Sequence, residues 1–356
     1  MFFVRRFPQC QELAPAKVAL SRSVLLLQLL VWVALGDPAA AQEASADTPV
    51  FVSQGQEASV GVVARLDPPC DADDAEACTA LAYQLLEGDG VPKDAAAALR
   101  LFAQACQFGS MRACTMAGYA YAEGDGVEAD LTRAASYYAF ACWGGEATAC
   151  SNLGLAYAAG KGVPENAVRA RALFKEACDK DGWGGCANLG ASYSLGRGVR
   201  RNQVRAARLF RKACDGGDQH ACYNLGVLYR DGLGVSRDYK RAVVLFESAC
   251  AARDSTACGN LGMMVDDGRG GPKDRQRALK LFDKACTLGE PESCFSLGRA
   301  YQTGNGRERD DARAIVLLER TLVLDPETPS AAEAEKALAL ARPPARNTDA
   351  STATKP

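Results

Sequence analysis

The stretch that decides the fold is CSNLGLAYAAGKGVPENAVRARALFKEACDKDGWGGC, residues 150–186, which begins and ends on a cysteine. Counted from Cys150 as position 0, apolar or small residues recur at positions 0, 3, 4 and 7, the spacing of one helical face. Gly160 and Gly162 are suited to end that helix, and Asn166 is suited to cap a second one. The second helix carries the pattern A-x-x-L-F-x-x-A-C. The stretch therefore predicts a helix–turn–helix unit.

The same unit recurs along the chain with a period of 36 residues. Apart from Cys10, the cysteines form seven C-x7-C pairs, and successive pairs are one period apart. A repeat of this fidelity predicts an all-α protein, an α/α solenoid of seven helix–turn–helix units. The pairs are Cys70 and Cys78, Cys106 and Cys114, Cys142 and Cys150, Cys178 and Cys186, Cys214 and Cys222, Cys250 and Cys258, and Cys286 and Cys294.

The N-terminus has the features of a secretory signal peptide. Basic residues precede an apolar run at residues 24–35, and small residues 39–41 offer a cleavage site near Ala41 and Gln42. The run is short for a membrane span, which needs about 20 residues, although an uncleaved signal anchor remains an alternative. We therefore expect a secreted or periplasmic monomer with no membrane span in the mature chain.

An exported protein with paired cysteines is expected to form disulfides. In one continuous helix, the two cysteines of a pair would lie about 12 Å apart along the axis, but a disulfide needs Cα atoms within about 7 Å. The chain must therefore reverse inside each pair, and a glycine three residues after the first cysteine supplies the turn in four pairs: Gly109, Gly145, Gly217 and Gly289. We expect seven local bridges, each joining the second helix of one unit to the first helix of the next. Redox-active or zinc-binding pairs are the less favoured alternatives, since zinc needs four converging thiolates.

The period also sets domain boundaries. Leu322 and Ser330 stand where an eighth cysteine pair would fall, so the last unit is expected to be unbridged. The predicted segments are a signal peptide at 1–41, a linker or N-terminal cap at 42–69, seven repeats at 70–325, a C-terminal capping helix at 326–341 and a disordered tail at 342–356.

The motif C-x-N-L-G-x-x-Y-x-x-G-x-G-V, which begins at Cys150, Cys186 and Cys222, resembles the Sel-one-like repeat family. These proteins are α/α solenoids related to tetratricopeptide repeats, and the resemblance implies a right-handed superhelix. With its C-x7-C pairs, the chain is similar to the Hcp family of exported cysteine-rich repeat proteins, from Cys70 to about Leu324. Some Hcp proteins carry a β-lactamase or penicillin-binding assignment. The resemblance therefore implies an alternative function, that of a weak β-lactam hydrolase.

The residues themselves offer little catalytic chemistry. The chain contains no S-x-x-K, S-D-N or K-T-G motif, so a penicillin-binding serine site of known type is not predicted. His220 is the single histidine, which disfavours a histidine-based metal site, and it is expected at the surface of a repeat tip. The G-x-G turns follow helices rather than strands, so no dinucleotide site is predicted. We predict no catalytic residue, metal or cofactor, and the net charge of −2 argues against a nucleic-acid partner.

The best functional signal is a ladder of asparagines at position 2 of four consecutive first helices: Asn152, Asn188, Asn224 and Asn260. Position 2 lies about 200° around the helix from the cysteine, away from the packed stripe. In solenoids of this type the first helices line the concave surface. Because an amide offers both a donor and an acceptor, we predict a groove that binds a peptide or protein. The alternative is that each asparagine only bonds a neighbouring repeat.

Three further sets of residues carry expectations. Positions 5 and 6 of the first helices are expected in the same groove: Tyr119, Leu155, Ser192, Leu228, Met263 and Met264. The tyrosines at position 7 are expected in the core: Tyr121, Tyr157, Tyr193, Tyr229 and Tyr301. A glycine recurs at position 4, where it costs about 1 kcal/mol of helix propensity. We therefore expect a neighbouring helix backbone to approach closely there.

Overall fold

A computed structural model describes residues 74–341, and that part of the chain consists of fifteen α-helices without a strand. The first helices of the units, here called A helices, are α1 (Ala75–Glu87), α3 (Met111–Glu123), α5 (Ala147–Ala159), α7 (Trp183–Leu195), α9 (Gln219–Asp231), α11 (Ser255–Asp267) and α13 (Pro291–Thr303). The second helices, here called B helices, are α2 (Ala95–Gln107), α4 (Leu131–Trp143), α6 (Ala167–Asp179), α8 (Gln203–Asp215), α10 (Tyr239–Ala251), α12 (Arg275–Thr287) and α14 (Asp311–Leu324). A final helix, α15 (Pro329–Ala341), packs on α13 and α14. The all-α solenoid prediction is confirmed.

Local sequence sets the ends of the helices. Every B helix begins at a side-chain oxygen that accepts a hydrogen bond from the backbone N–H three residues later, at Asp94, Asp130, Asn166, Asn202, Asp238, Asp274 and Asp310. This is the side-chain cap that the sequence predicts. Each A helix from α1 to α13 ends at a glycine with φ between 64° and 79°, the left-handed region open to glycine.

The joint between a B helix and the next A helix uses one left-handed residue in each of six described units. Gly109, Gly145, Gly217 and Gly289 occupy it with φ between 92° and 98°, as predicted for a turn. In the two remaining joints the same position holds Asp181 (φ 57°) and Arg253 (φ 69°). The joint therefore keeps its left-handed residue even where glycine is absent. These two side chains are strained there, because Cβ comes close to the carbonyl.

Six disulfides lock these joints: Cys106–Cys114, Cys142–Cys150, Cys178–Cys186, Cys214–Cys222, Cys250–Cys258 and Cys286–Cys294. Their Cα atoms are 4.5–4.7 Å apart, and each bridge joins a B helix to the following A helix. Cys78 is also disulfide-bonded, but its predicted partner, Cys70, lies outside the described residues. The same holds for the predicted signal peptide, the linker at 42–69 and the tail at 342–356.

Consecutive helices pack against each other along the described chain, and A helices of neighbouring repeats also meet, as α5 meets α7. The core between the two layers contains small residues and leucines such as Leu225 from the A helices, and alanines and aromatic residues such as Phe246 from the B helices. A Cβ placed on Gly226 would come within 2.8 Å of the ring of Phe246, which is 0% exposed. The predicted close approach is right, but its nearest neighbour is a ring rather than a backbone.

The tyrosines at position 7 are less buried than predicted. Tyr229 is buried, at 5% exposure, but Tyr121, Tyr157, Tyr193 and Tyr301 are only partly buried. Each ring also lies near a guanidinium from the start of the following B helix, such as Arg169 at 4.6 Å from the Tyr157 ring centre, and the buried Tyr229 has the same contact with Arg241. The four partly buried phenol rings lie between the core and solvent.

No helix between residues 74 and 341 is long and apolar enough to cross a membrane.

Candidate binding groove

The predicted groove is the outward face of the A helices, here called the A-face and defined by positions 2, 5 and 9 counted from the A-helix cysteine. Side chains of neighbouring A helices meet, as Arg112 meets Tyr83 and Asn188 meets Ser151, so these positions form rows that run from repeat to repeat. Position 5 carries a row of apolar side chains that are half-buried or exposed: Tyr119, Leu155, Ala191, Val227 and Met263. Met263 is 44% exposed. The A-face thus has an apolar stripe along its centre that is partly accessible to solvent and most exposed at Met263.

Position 6 does not belong to this face, so the prediction was wrong for Ser192, Leu228 and Met264, which are all buried. Position 6 lies about 240° around the helix from the cysteine, on a flank rather than opposite the core. That flank is covered where neighbouring A helices meet. The predicted position-5 residues Tyr119, Leu155 and Met263 do lie on the A-face.

The four asparagines share one row but not one environment. Asn188 donates from Nδ2 to Ser151 Oγ of the preceding repeat at 3.2 Å. Asn260 is only 8% exposed, and its Oδ1 accepts from the guanidinium of Arg230 in the preceding repeat. These two side chains therefore link repeats, as the alternative interpretation expects.

The other two asparagines make no such link. Asn224 donates to the backbone carbonyl of His220 at 2.9 Å within its own helix, and its Oδ1 has no hydrogen-bond donor among the described residues. Asn152 makes no side-chain hydrogen bond within residues 74–341 and is half-buried. These two amides keep hydrogen-bonding capacity for a ligand.

Acidic residues border the A-face where the A helices end. Position 9 holds exposed Glu87, Glu123, Asp231 and Asp267. The Arg230 guanidinium lies 2.7 Å from Asp231, and its hydrogen bond holds the pKa of that carboxyl below its ordinary value. The same contact raises the pKa of Arg230. Asp267 likewise lies 3.2 Å from the guanidinium of Arg269, so the negative charge of these two residues is compensated by arginines.

The opposite border, where the A helices begin, contains the single histidine. His220 Nδ1 lies 3.2 Å from Asp254 Oδ2 of the next repeat, and this hydrogen bond raises the pKa of the imidazole. Burial raises the pKa of the nearby Asp218 carboxyl and of Glu290, which caps α13. The His220 side chain is 46% exposed, in agreement with the predicted surface position.

A shallow depression deepens the A-face between α11 and α13. It is lined by Asn260, Met263, Ser293 and Ser296, with the carboxyl of Glu290 at its side. A Cβ on Gly259 would come within 2.8 Å of Ser293 Oγ. The missing side chain at Gly259 is therefore what lets the two helices approach at this point.

One described group of side chains brings enough potential ligand atoms together for a metal ion: Cys142, Cys150 and Glu176. The two cysteines form a disulfide, so they offer no thiolates. This group is therefore the Cys142–Cys150 disulfide beside the exposed carboxylate of Glu176, and it does not indicate a metal site.

Sequence reasoning missed Arg230 and the acidic border at position 9. These charged residues are visible in the sequence at positions 8 and 9 of the A helices. They do not form a recognisable motif, because the residue type at these positions varies between repeats, whereas the asparagine at position 2 recurs.

A family model for the Sel1 repeat matches seven consecutive segments of the chain, at residues 75–109, 112–142, 147–182, 184–218, 219–254, 255–290 and 291–321. These segments cover most of the described residues, and each contains one A helix and one B helix. The chain therefore belongs to the Sel1 repeat family, a class of solenoid scaffolds that mediate protein interactions.

Solved structures give the same fold. The chain is 28% identical to c5321, a protective antigen of uropathogenic Escherichia coli displaying an SLR fold, with a TM-score of 0.60 over 75% of this chain and 56% of that one. It therefore spans little more than half the length of that protein. It is 26% identical to a Sel1 repeat protein from Oxalobacter formigenes, with a TM-score of 0.61 over 68% of this chain and 96% of that one.

A third solved structure, the cysteine-rich protein HcpB of Helicobacter pylori, is 33% identical over 38% of this chain and 97% of that one, with a TM-score of 0.32. No curated protein matches the chain.

Proposed function

We propose that this protein is an exported scaffold that binds a polypeptide segment along its A-face. The observation that carries the proposal is the partly accessible row of apolar side chains at position 5, with amide groups in the adjacent row at position 2. An extended segment places apolar side chains on the stripe and leaves its backbone groups to bond the amides of Asn152 and Asn224. Asn188 and Asn260 shape the wall of the same face, because they are bonded to neighbouring repeats.

Rigidity supports the proposal. Binding costs less when the site is ordered beforehand, and each described joint from α2 to α13 is held by a disulfide. In the chain-entropy model, closing such a short loop contributes about 2–3 kcal/mol per bridge. A face that crosses several stapled repeats therefore keeps its shape without a ligand.

The same bridges support export. Disulfides persist in oxidising compartments and are rare in the cytosol, and the N-terminal sequence has the features of a secretory signal. We propose a periplasmic or secreted location, where the partner would be met.

The test is a selection of random peptides displayed on phage against the immobilised oxidised protein. An enriched peptide is then synthesised, and its Kd is measured by fluorescence anisotropy. The variant Met263→Glu places a charge in the apolar stripe at its most exposed side chain and should weaken binding at least about tenfold, which corresponds to about 1.4 kcal/mol.

The matched control introduces one glutamate on a B helix, as Val244→Glu, at an exposed position outside the A-face. Its affinity should equal that of the unchanged protein. Failure of the selection, or equal binding by the groove variant, would contradict the proposal. A nitrocefin assay on the same sample tests the β-lactam hydrolase alternative, which rests on family resemblance and which no geometry among residues 74–341 favours.

A further inference from the structure

The overall charge of −2 conceals a concentrated basic segment in the fourth repeat. Residues 196–214 contain seven Arg or Lys residues and no Asp or Glu. Six of the seven are arginines, and their side chains are all exposed at the loop before α8 and along α8: Arg197, Arg200, Arg201, Arg205, Arg208 and Arg211. We call these six arginines the basic edge. They belong to a loop and a B helix, so this surface is separate from the A-face.

The charge of the basic edge is not neutralised by the rest of the described chain. None of its six arginines forms an ion pair with a carboxylate between residues 74 and 341. Arg211 donates to the neutral hydroxyl of Tyr229 at 2.7 Å. By contrast, the neighbouring Lys212 lies 3.1 Å from Asp181 and is compensated.

Comparison with other repeats shows what differs here. In α10 and α14 the arginine at the third helical position lies 3.2 Å from the aspartate that caps the helix, as Arg241 does from Asp238 and Arg313 from Asp310. In α8 the equivalent arginine is Arg205, and its cap is the neutral Asn202. The capping hydrogen bond is kept, but the negative charge beside the guanidinium is absent.

Arg205 is also held in place. Its guanidinium lies 5.5 Å from the ring centre of Tyr193, and its Nη1 donates to the Tyr193 hydroxyl at 3.4 Å. A planar guanidinium stacked on a ring loses less freedom when it binds, and its outer edge can pair with both oxygens of a carboxylate. In the preceding repeat, Arg169 lies 4.6 Å from the ring centre of Tyr157, again beside a neutral cap, Asn166.

We propose that the basic edge is a second interaction surface, which binds an acidic segment of a protein partner. Val204, at 49% exposure, directly precedes Arg205, and Val168, at 59% exposure, has its backbone near Gly198 in the loop before α8. They suit a segment in which Asp or Glu alternates with apolar residues, whereas a polysaccharide or a phosphate chain would leave them unused. The surface would give the scaffold a second contact, separate from the A-face.

The experiment measures binding of a fluorescent synthetic peptide with the repeating sequence Glu-Leu-Glu-Ser to the oxidised protein. Affinity should fall as salt rises, because exposed charges are screened. The double variant Arg205→Glu with Arg208→Glu should weaken binding at least about tenfold. Glutamate three residues after the Asn202 cap is a favourable helix-start residue, so α8 should stay folded. The neutral variant Arg205→Gln with Arg208→Gln should give a smaller loss.

The matched control is Arg277→Glu with Arg313→Glu, which changes two arginines at the same helical position that already face Glu247 and Asp310. It should bind the peptide as the unchanged protein does. Absence of binding, or equal losses in the test and control variants, would overturn the proposal. So would tighter binding of heparin, a DNA duplex or phosphatidylglycerol vesicles than of the peptide, because each would assign the surface to another class of partner.

Discussion

Replacing Gly226 by alanine should destabilise the protein, although alanine is the better helix former by about 1 kcal/mol. The new Cβ would lie 2.8 Å from Cε1 of Phe246, which is closer than Cβ atoms are found in proteins. Phe246 is 0% exposed and cannot turn away into solvent. Overpacking of this kind costs about 1–3 kcal/mol. With the gain in propensity subtracted, we expect a net loss of about 1–2 kcal/mol in the free energy of unfolding.

The chain supplies its own control at Gly298, where the facing residue is Leu318. A Cβ there would meet Leu318 Cγ at 3.1 Å, so the leucine has to move by only a few tenths of an ångström. The variant Gly298→Ala should therefore be close to neutral, because the gain in helix propensity offsets the smaller strain.

The assay is urea unfolding of the oxidised proteins, combined with hydrogen exchange of α9 and α10, because a solenoid need not unfold as one cooperative unit. Phe246→Leu in the Gly226→Ala background should recover part of the lost stability. If Gly226→Ala is as stable as the unchanged protein, the ring does not set the spacing of the two helix layers, and the packing argument fails.

Three further predictions follow from local contacts. Arg253→Gly should raise the free energy of unfolding by about 0.5–1 kcal/mol, because φ of 69° suits glycine; an unchanged urea midpoint would contradict this. The pKa of His220 is raised by Asp254, so the stability from this pair is fully present below the ordinary histidine pKa of about 6.5 and is lost as the pH rises through the raised pKa. The loss should be a fraction of a kcal/mol at this exposed site, and urea midpoints of His220→Gln should lack this pH dependence. Asn260→Ala should lower the free energy of unfolding by about 1 kcal/mol or more, because it leaves Arg230 without its amide partner. Asn152→Ala should be neutral or slightly stabilising, because alanine is the better helix former. Equal melting temperatures for the two variants would contradict this difference.

Most of the repeat frame follows from the sequence, because short-range rules determine it. The caps at Asp94 and its equivalents, the glycines that end the A helices and the reversal inside each C-x7-C pair all depend on residues no more than eight positions apart in the sequence. Such contacts are visible in a motif. The period then fixes which helices are joined.

The candidate site was less predictable, because its contacts join residues that are far apart in the sequence. The bonds from Asn188 to Ser151 and from Arg230 to Asn260 span 37 and 30 residues. Position in the helix says which way each asparagine points, but not whether a neighbouring side chain reaches it. The burial of Met264 has the same origin, since it depends on how closely two A helices approach.

The basic edge illustrates a different limit. The substitution of Asn202 for an aspartate at a cap leaves helix start and fold unchanged, and the overall charge hides it. Its effect emerges only when the partners of Arg205 and Arg241 are compared in three dimensions.

We propose that a disulfide between sequence-adjacent cysteines locks each joint of an exported solenoid. This is tested by mass spectrometry of proteolytic fragments, made without reduction, from protein isolated from the secreted or periplasmic fraction of the cells that produce it. We expect all seven C-x7-C pairs to be bridged, including Cys70 with Cys78. Free thiols in more than one pair, bridges between distant repeats, or retention of the protein in the cytosol would contradict it.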